Sequence, residues 1–392
     1  MKVCFVSLYE TTNFGDPILA YCAEWLFADE IKSKNVEIVR ASLCWSNAQK
    51  FKNIKLNSGW HFLWKICKKL RLDKHKRWIT IHAKHQLIID NFASQIGNVD
   101  LIILAGGGLI KFKYENFWLS IPSLLEYAHQ KHIPVVMNAV GVEGYNDTDF
   151  RCLDIKRALL RHSPKYISTR DDLVTLIQQY FDGHPKMQCV KVADPAVWAA
   201  EAYGVSQMKE SETVGLGVAR DKLFVCNGVD IEPAQLLALY VDIALVLIER
   251  GHKIEVFTNG LESDNRFATE VMKKIPDNVG IFIPDTPQSL VEHIATYKGV
   301  VATRLHSCII AYSLDIPVVG LVWNPKMTMF GENIVHPEYF ITHDCFRAEY
   351  IADIFATAVT KGYNQSVRGN FRETIRNSIQ NICDVFINNR YE

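Results

Sequence analysis

Ten cysteines are present, yet no two stand at C-x-x-C spacing, which argues against zinc-ribbon and thioredoxin-type sites. Cys4 and Cys308 lie inside apolar runs and read as reduced core thiols of a cytoplasmic protein. No apolar run approaches the ~18 residues that cross a bilayer. Glu10 interrupts the opening "MKVCFVSLYE" too early for a secretory signal, so a soluble chain is expected. An excess of charge is missing too: 43 Lys and Arg balance 43 Asp and Glu, not the basic composition expected of a nucleic-acid binder. The chain also lacks a G-K-[ST] phosphate loop, and Lys111 stands where a dinucleotide fingerprint needs its last glycine.

What is present is a 392-residue chain, 48% hydrophobic, long enough for two separate cores. Short runs rich in Val and Ile alternate with 3.6-period segments, the pattern of parallel α/β layers. Strands are expected at 2–8, 36–42, 99–104, 133–140, 165–169 and 188–192. A second series follows at 214–219, 253–258, 279–283, 299–303 and 316–322. Helical patterns fall at 16–32, 80–96, 117–131, 171–181, 234–250, 287–297 and 305–314. The fold class expected is α/β, two doubly wound Rossmann-like domains facing a cleft. The domains run 1–203 (acceptor side) and 214–345 (donor side), joined by the polar stretch 204–213. A helical tail, 346–392, is positioned to cross back to the first domain.

One segment departs from the charge balance. Residues 50–78, "KFKNIKLNSGWHFLWKICKKLRLDKHKRW", hold ten Lys or Arg against the single acid Asp73, with Trp60, Trp64 and Trp78 among them. Basic side chains beside Trp and Leu suit a helix lying at an anionic membrane surface. They equally suit a solvated basic helix that packs its Trp face on the protein, and both readings stay open; nucleic-acid binding is a weaker third, since nothing else in the chain is basic.

Chemistry-bearing residues gather where strands hand over to helices. "TTNFGDPILA" (11–20) offers Asn13, Gly15 and Asp16 before a helix that Pro17 starts well; Gly15 would also let a ligand approach N–H groups there. "LILAGGGLIK" (102–111) leaves Gly106, Gly107 and Gly108 without side chains at the end of a buried strand, where a substrate could lie against backbone. "YISTRDDLV" (166–174) puts Arg170 at a strand's carboxyl end, its fork suited to a carboxylate or phosphate or to a structural Asp pair; Asp171 or Asp172 can cap the next helix. "VADPAVW" (192–198) reads as a turn at Asp194 and Pro195. "GVARD" (217–221) makes Arg220 a second candidate anion ligand. In "VVATRLHSCIIAYSLDIPVVGLVWNPKM" (300–327), Arg304, His306 and Ser307 interrupt a buried strand–helix–strand run. Helix N–H groups favour an anion at that turn. Histidine, with an unperturbed pKa of roughly 6.5, can give and take a proton near neutrality. Lys326 follows the next strand.

These elements, in this order, resemble the polysaccharide pyruvyl transferases. The resemblance rests on N-x-G-D (Asn13, Gly15, Asp16), the glycine triplet, S-x-R-D (Ser168, Arg170, Asp171), D-P-A (Asp194 to Ala196) and R-L-H-S (Arg304 to Ser307). P-V-V-G and then N-P-K with Lys326 complete it, over about residues 1–330. It implies a fold similar to GT-B glycosyltransferases. It also implies transfer of the enolpyruvyl carbons of phosphoenolpyruvate to two hydroxyls of a saccharide, giving a cyclic ketal and phosphate. By position, Arg170, His306 and Lys326 correspond to donor-binding and catalytic residues. The scheme requires no cofactor and no metal. The acceptor would be a sugar of a surface polysaccharide, free or on a polyprenyl diphosphate. If 50–78 touches lipid, the protein is peripheral on the inner face of the cytoplasmic membrane. Two alternatives remain: a GT-B glycosyltransferase using a nucleotide sugar, and a non-catalytic saccharide-binding subunit.

Overall fold

The computed structural model describes residues 1–32, 35–43, 58–70, 72–113, 117–183, 188–208 and 210–387. Residues 50–57 and Arg71 of the basic segment, and the side chain of Trp78, lie outside the described residues. By compactness the chain divides into two units. One comprises Met1–Glu10, Ile31–Lys191 and Gln380–Glu392; the other comprises Thr11–Glu30 and Val192–Ile379. Residues 11–30 and 192–203 therefore group with the second sheet, although both precede the polar stretch 204–213.

In the first unit β1 (Lys2–Ser7) leads to α1 (Gly15–Glu30), which belongs with the second unit. Then follow β2 (Glu37–Ser42), α2 (Ser58–Lys69), α3 (Asp73–Ile96), β3 (Leu101–Ala105), α4 (Phe117–Gln130), β4 (Val135–Val140), α5 (Phe150–Arg161), β5 (Tyr166–Thr169) and β6 (Cys189–Lys191). Only helices of eight or more residues are numbered. The sheet runs β2-β1-β3-β4-β5-β6, all parallel. Every residue of β3 and β4 is buried, as a parallel sheet covered on both faces requires. Strand order reverses between β1 and β3, and the glycine triplet directly follows β3. Ligands of open α/β sheets collect at the carboxyl ends beside such a reversal.

The second unit contains β7 (Thr213–Gly217), α6 (Pro233–Glu249), β8 (Lys253–Phe257), α7 (Glu262–Met272), β9 (Gly280–Phe282), α8 (Pro287–Ile294), β10 (Gly299–Ala302), α9 (Leu305–Ser313), β11 (Val318–Leu321), α10 (Pro325–Asn333) and β12 (Phe340–Ile341). α11 (Ala348–Lys361) and α12 (Gln365–Phe386) follow. Its parallel order, β12-β11-β10-β7-β8-β9, is the doubly wound 3-2-1-4-5-6 arrangement, with the reversal between β7 and β10.

The expected fold class is thus present, and each expected strand exists. The short β12, and α5, α7 and α10, were not expected. α5 buries only Cys152, Ile155, Ala158 and Leu159 among charged neighbours, so its apolar stripe is thin. The single helical pattern at 346–390 is two helices. Asn364 Oδ1 accepts from the Ser366 and Val367 amides and so restarts the second one. Among the described residues no helix is long and apolar enough to cross a membrane.

Candidate active site

The reversal in the second sheet puts the turns after β7 and β10 side by side, since Gly217 pairs with Ala302. The turn after β10 carries R-L-H-S. α9 starts there with Arg304 as its N-cap and no side-chain cap, so the positive end of the helix dipole lies at the sheet edge. Beneath, two buried groups stitch these turns together. Tyr240 of α6 bonds the Thr303 hydroxyl at 2.5 Å and accepts from the Ala219 amide at 3.2 Å; burial pushes its phenol up to about 12. Asp264 of α7, fully buried, accepts two bonds from the Arg304 guanidinium, at 2.7 and 2.6 Å, and one from the Arg220 amide at 3.0 Å. Arg304 is therefore held as a rigid fork, and Arg220 reaches this hub through its backbone. Asp264 has no signature in the sequence beyond a helix start.

His306, in the first turn of α9, is buried to 8% exposure. Its ring lies directly on Gly15: a Cβ built there would sit 2.3 Å from His306 Nδ1. What approaches Gly15 closely is thus an imidazole from the same unit. The other ring nitrogen, Nε2, stands 3.8 Å from Asp194 Oδ2. Asp194 is buried, and its Oδ1 caps the turn Pro195–Trp198 by accepting from the Ala196 amide. The turn that the sequence suggested is real, and the same carboxylate also faces the histidine. That second role is invisible in the sequence. Trp198 anchors this turn, with the guanidinium groups of Arg372 and Arg376 at 4.1 and 4.5 Å from its ring.

Around this histidine the polar groups are mutually fixed. Ser307 Oγ donates to Asn259 Oδ1 at 2.6 Å, and the Phe14 amide donates to the Asn259 carbonyl at 2.9 Å. Asn13 donates through Nδ2 to Asp16 Oδ2 at 2.9 Å. Asn13 Oδ1 and Asn259 Nδ2 are buried without a hydrogen-bond partner, each at a cost of about 1–3 kcal/mol. Asn259 was not singled out from the sequence. Lys326 lies in the first turn of α10, after β11, the strand that pairs with β10; it is partly exposed.

The remaining expected residues belong to the first unit. Gly106 and Gly107 adopt φ of 53° and 76°, left-handed geometry that glycine enters without strain. The triplet is tied to the neighbouring turn by bonds from the Gly141 amide to the Gly107 carbonyl and from the Gly106 amide to the Asn138 carbonyl. Arg170 is buried after β5, at 8% exposure. Asp171 beside it is structural: its Oδ1 accepts from the Val142 amide, the Asp172 amide and the Thr169 hydroxyl. Asp172 caps the helical turn that follows. Elsewhere in this unit His85 stands between Ser123 Oγ (2.7 Å) and Asp154 Oδ2 (3.2 Å), a hydrolase-like triad in outline. Ser123 is fully buried in α4, so its hydroxyl is not placed to meet a substrate.

Two parallel six-stranded α/β sheets with these orders define the GT-B class of fold. Solved structures agree. The UDP-GlcNAc 2-epimerase of Methanocaldococcus jannaschii is similar with a TM-score of 0.58 at 9% identity, over 97% of this chain and 99% of that one. The Neisseria meningitidis UDP-GlcNAc 2-epimerase, solved bound to UDP-GlcNAc, gives 0.56 at 9% identity over 99% and 100%. The Rickettsia bellii enzyme gives 0.56 at 12% over 99% and 97%. At such identity these likenesses establish the fold alone. No match was found among curated proteins. The polysaccharide pyruvyl transferase family model matches residues 13–325, from the Asn13 turn to the start of α10, and the chain belongs to that family.

Proposed function

We propose that the protein transfers the enolpyruvyl group of phosphoenolpyruvate to two hydroxyls of a saccharide. The products are a pyruvate ketal and inorganic phosphate. One observation carries this reading: Gly15, Asp194 and His306, from three motifs far apart in the chain, meet beside the strand-order reversal of the second sheet. A structural histidine needs no glycine beneath it and no carboxylate behind it.

Phosphoenolpyruvate carries a carboxylate and a phosphate on adjacent atoms, so its site needs fixed cations and oriented N–H donors. In this proposal the N-terminus of α9 and Lys326 hold the donor, with Arg304 kept in place by Asp264. Arg170 enters as a further cation on the strength of its motif alone. His306 acts as general acid. Protonation of the C3 methylene makes it a methyl group and leaves C2 electrophilic; the first sugar hydroxyl then adds to C2 and gives up its proton. The C2–O bond to phosphate breaks, the second hydroxyl closes the ring, and its proton leaves with the phosphate. Asp194 faces the Nε2 of the ring that must regain its proton after each turnover. The acceptor we propose is a sugar of a surface polysaccharide or of its polyprenyl-linked precursor.

The fold neighbours supply the rival, since one of them was solved with UDP-GlcNAc. Thermal melts with phosphoenolpyruvate and with UDP-GlcNAc separate the two. A ligand at ~100 times its Kd adds about 2.7 kcal/mol to the folded state. The expected result is a shift with phosphoenolpyruvate that disappears in Lys326→Ala and shrinks in Arg170→Ala. A shift with UDP-GlcNAc alone overturns the pyruvyl reading in favour of a nucleotide-sugar enzyme.

A further inference from the structure

α2 is apolar over more of its circumference than it buries. At roughly 100° per residue, Trp60, Trp64 and Cys67 form one edge of the apolar arc, and Phe62, Leu63, Ile66 and Leu70 form the other. The first edge is half-buried, with the Trp60 ring 5.1 Å from His82 of α3. The second edge is bare: Phe62 is 64% exposed, Leu63 47%, Ile66 37% and Leu70 61%. The helix thus presents two different faces. Trp60 packs on His82 of α3, and a separate aliphatic and aromatic strip remains in solvent.

What flanks that strip decides its partner. Lys65 and Lys69 border it next to Phe62, and Lys68 follows on the polar side, its Nζ 5.5 Å from the Trp64 ring; all three lysines are exposed. No carboxylate occurs anywhere in Ser58–Lys69. A protein-binding helix of this length would ordinarily carry some acid to fix register and partner. An apolar strip edged only by lysines instead complements a surface that is apolar within and uniformly anionic at its face. We infer that α2 docks the protein on an anionic lipid bilayer, with Phe62, Leu63, Ile66 and Leu70 entering the acyl boundary and the three lysines meeting lipid phosphates. Docking depends on the helix surface and not on the reaction, so it stands or falls independently of the proposed transferase activity.

The test is flotation of the full-length protein with vesicles of phosphatidylcholine alone and of phosphatidylcholine mixed with phosphatidylglycerol, across a salt series. The protein should float with the mixed vesicles at low salt, much less with pure phosphatidylcholine, and release as salt screens the lysines. Phe62→Ser with Ile66→Ser should abolish flotation at every salt concentration. Both side chains are exposed, so an unchanged melting curve will certify the fold. Lys65→Gln with Lys69→Gln should weaken partitioning roughly thirtyfold, from about fivefold per lysine near an anionic surface. Absence of flotation at low salt overturns the inference, as does equal binding by the wild type and the Phe62/Ile66 variant. A wild-type oligomer that the same variant converts to monomer, with no vesicle binding, overturns it in favour of a protein interface.

Discussion

The two sheets have the same parallel build and each reverses strand order once, yet their carboxyl edges at the reversal are furnished in opposite ways. In the first sheet the edge at the reversal is backbone: Gly106 to Gly108 follow β3, and the nearby Asp171 commits Oδ1 to two amides and a hydroxyl while its Oδ2 is buried without a partner. In the second the edge is side chain: Arg304 is pinned by Asp264, and His306 lies between Gly15 and Asp194. Backbone edges offer shape and neutral hydrogen bonds to a ligand, whereas fixed charge and a titratable ring can hold an anion and move a proton. The proposed function accordingly draws its proton donor from the second edge.

The strongest way to break this contrast is His306→Ala. General acid–base help is typically worth about 10²–10⁴-fold, so phosphate release from phosphoenolpyruvate should fall at least a hundredfold. The melting shift with the donor should survive. A loss under tenfold would demote the histidine to a packing role.

Asp264→Ala comes next and acts on stability. It leaves the Arg304 guanidinium without its buried counter-charge, which costs about 3–5 kcal/mol where one partner of a buried pair is removed. A urea unfolding series should register this, and a change under 1 kcal/mol would mean Arg304 finds water or another acid. Gly15→Ala follows: the new methyl collides with the ring of His306, for about 1–3 kcal/mol as in other overpacked sites. Because the ring must shift, turnover should drop more than stability alone explains. Gly107→Ala, on the backbone edge, pays only for left-handed φ, about 1–2 kcal/mol, and should spare the pH profile of turnover that His306 substitutions change.

Much of this was legible beforehand because it depends on local pattern. Both strand series stand out, since β3, β4, β10 and β11 are short runs buried on both faces. R-L-H-S was conspicuous because polar groups rarely interrupt such a run. What could not be read is what the topology creates. Asp264, Asn259 and Tyr240 look like a helix start, a loop and a core aromatic until β7 and β10 come together. α1 follows the first strand in the chain, and only the fold shows that Gly15 serves the histidine of the second unit. Asp194 was read as a turn, correctly, and its other oxygen became meaningful only with His306 in place.

The smallest effect sharpens the contrast through acid. In the first unit burial lowers the pKa of His162, with Glu126 at 2.7 Å only partly offsetting it. The folded state therefore prefers the neutral ring, and stability declines as pH falls from about 6.5, the unfolded value, through the folded one. In the second unit burial tends to raise the pKa of Glu255, but hydrogen bonds from His293 and Tyr297 outweigh it and hold the carboxyl below its ordinary value. That stabilisation is fully present above about 4.3 and disappears only as pH drops through the lower folded value. Urea midpoints measured from pH 7 downward should separate the two: His162→Gln flattens the decline that begins near neutrality, and Glu255→Gln changes only the acid limb. If Glu255→Gln instead altered the decline near pH 6.5, the two units would share one acid response.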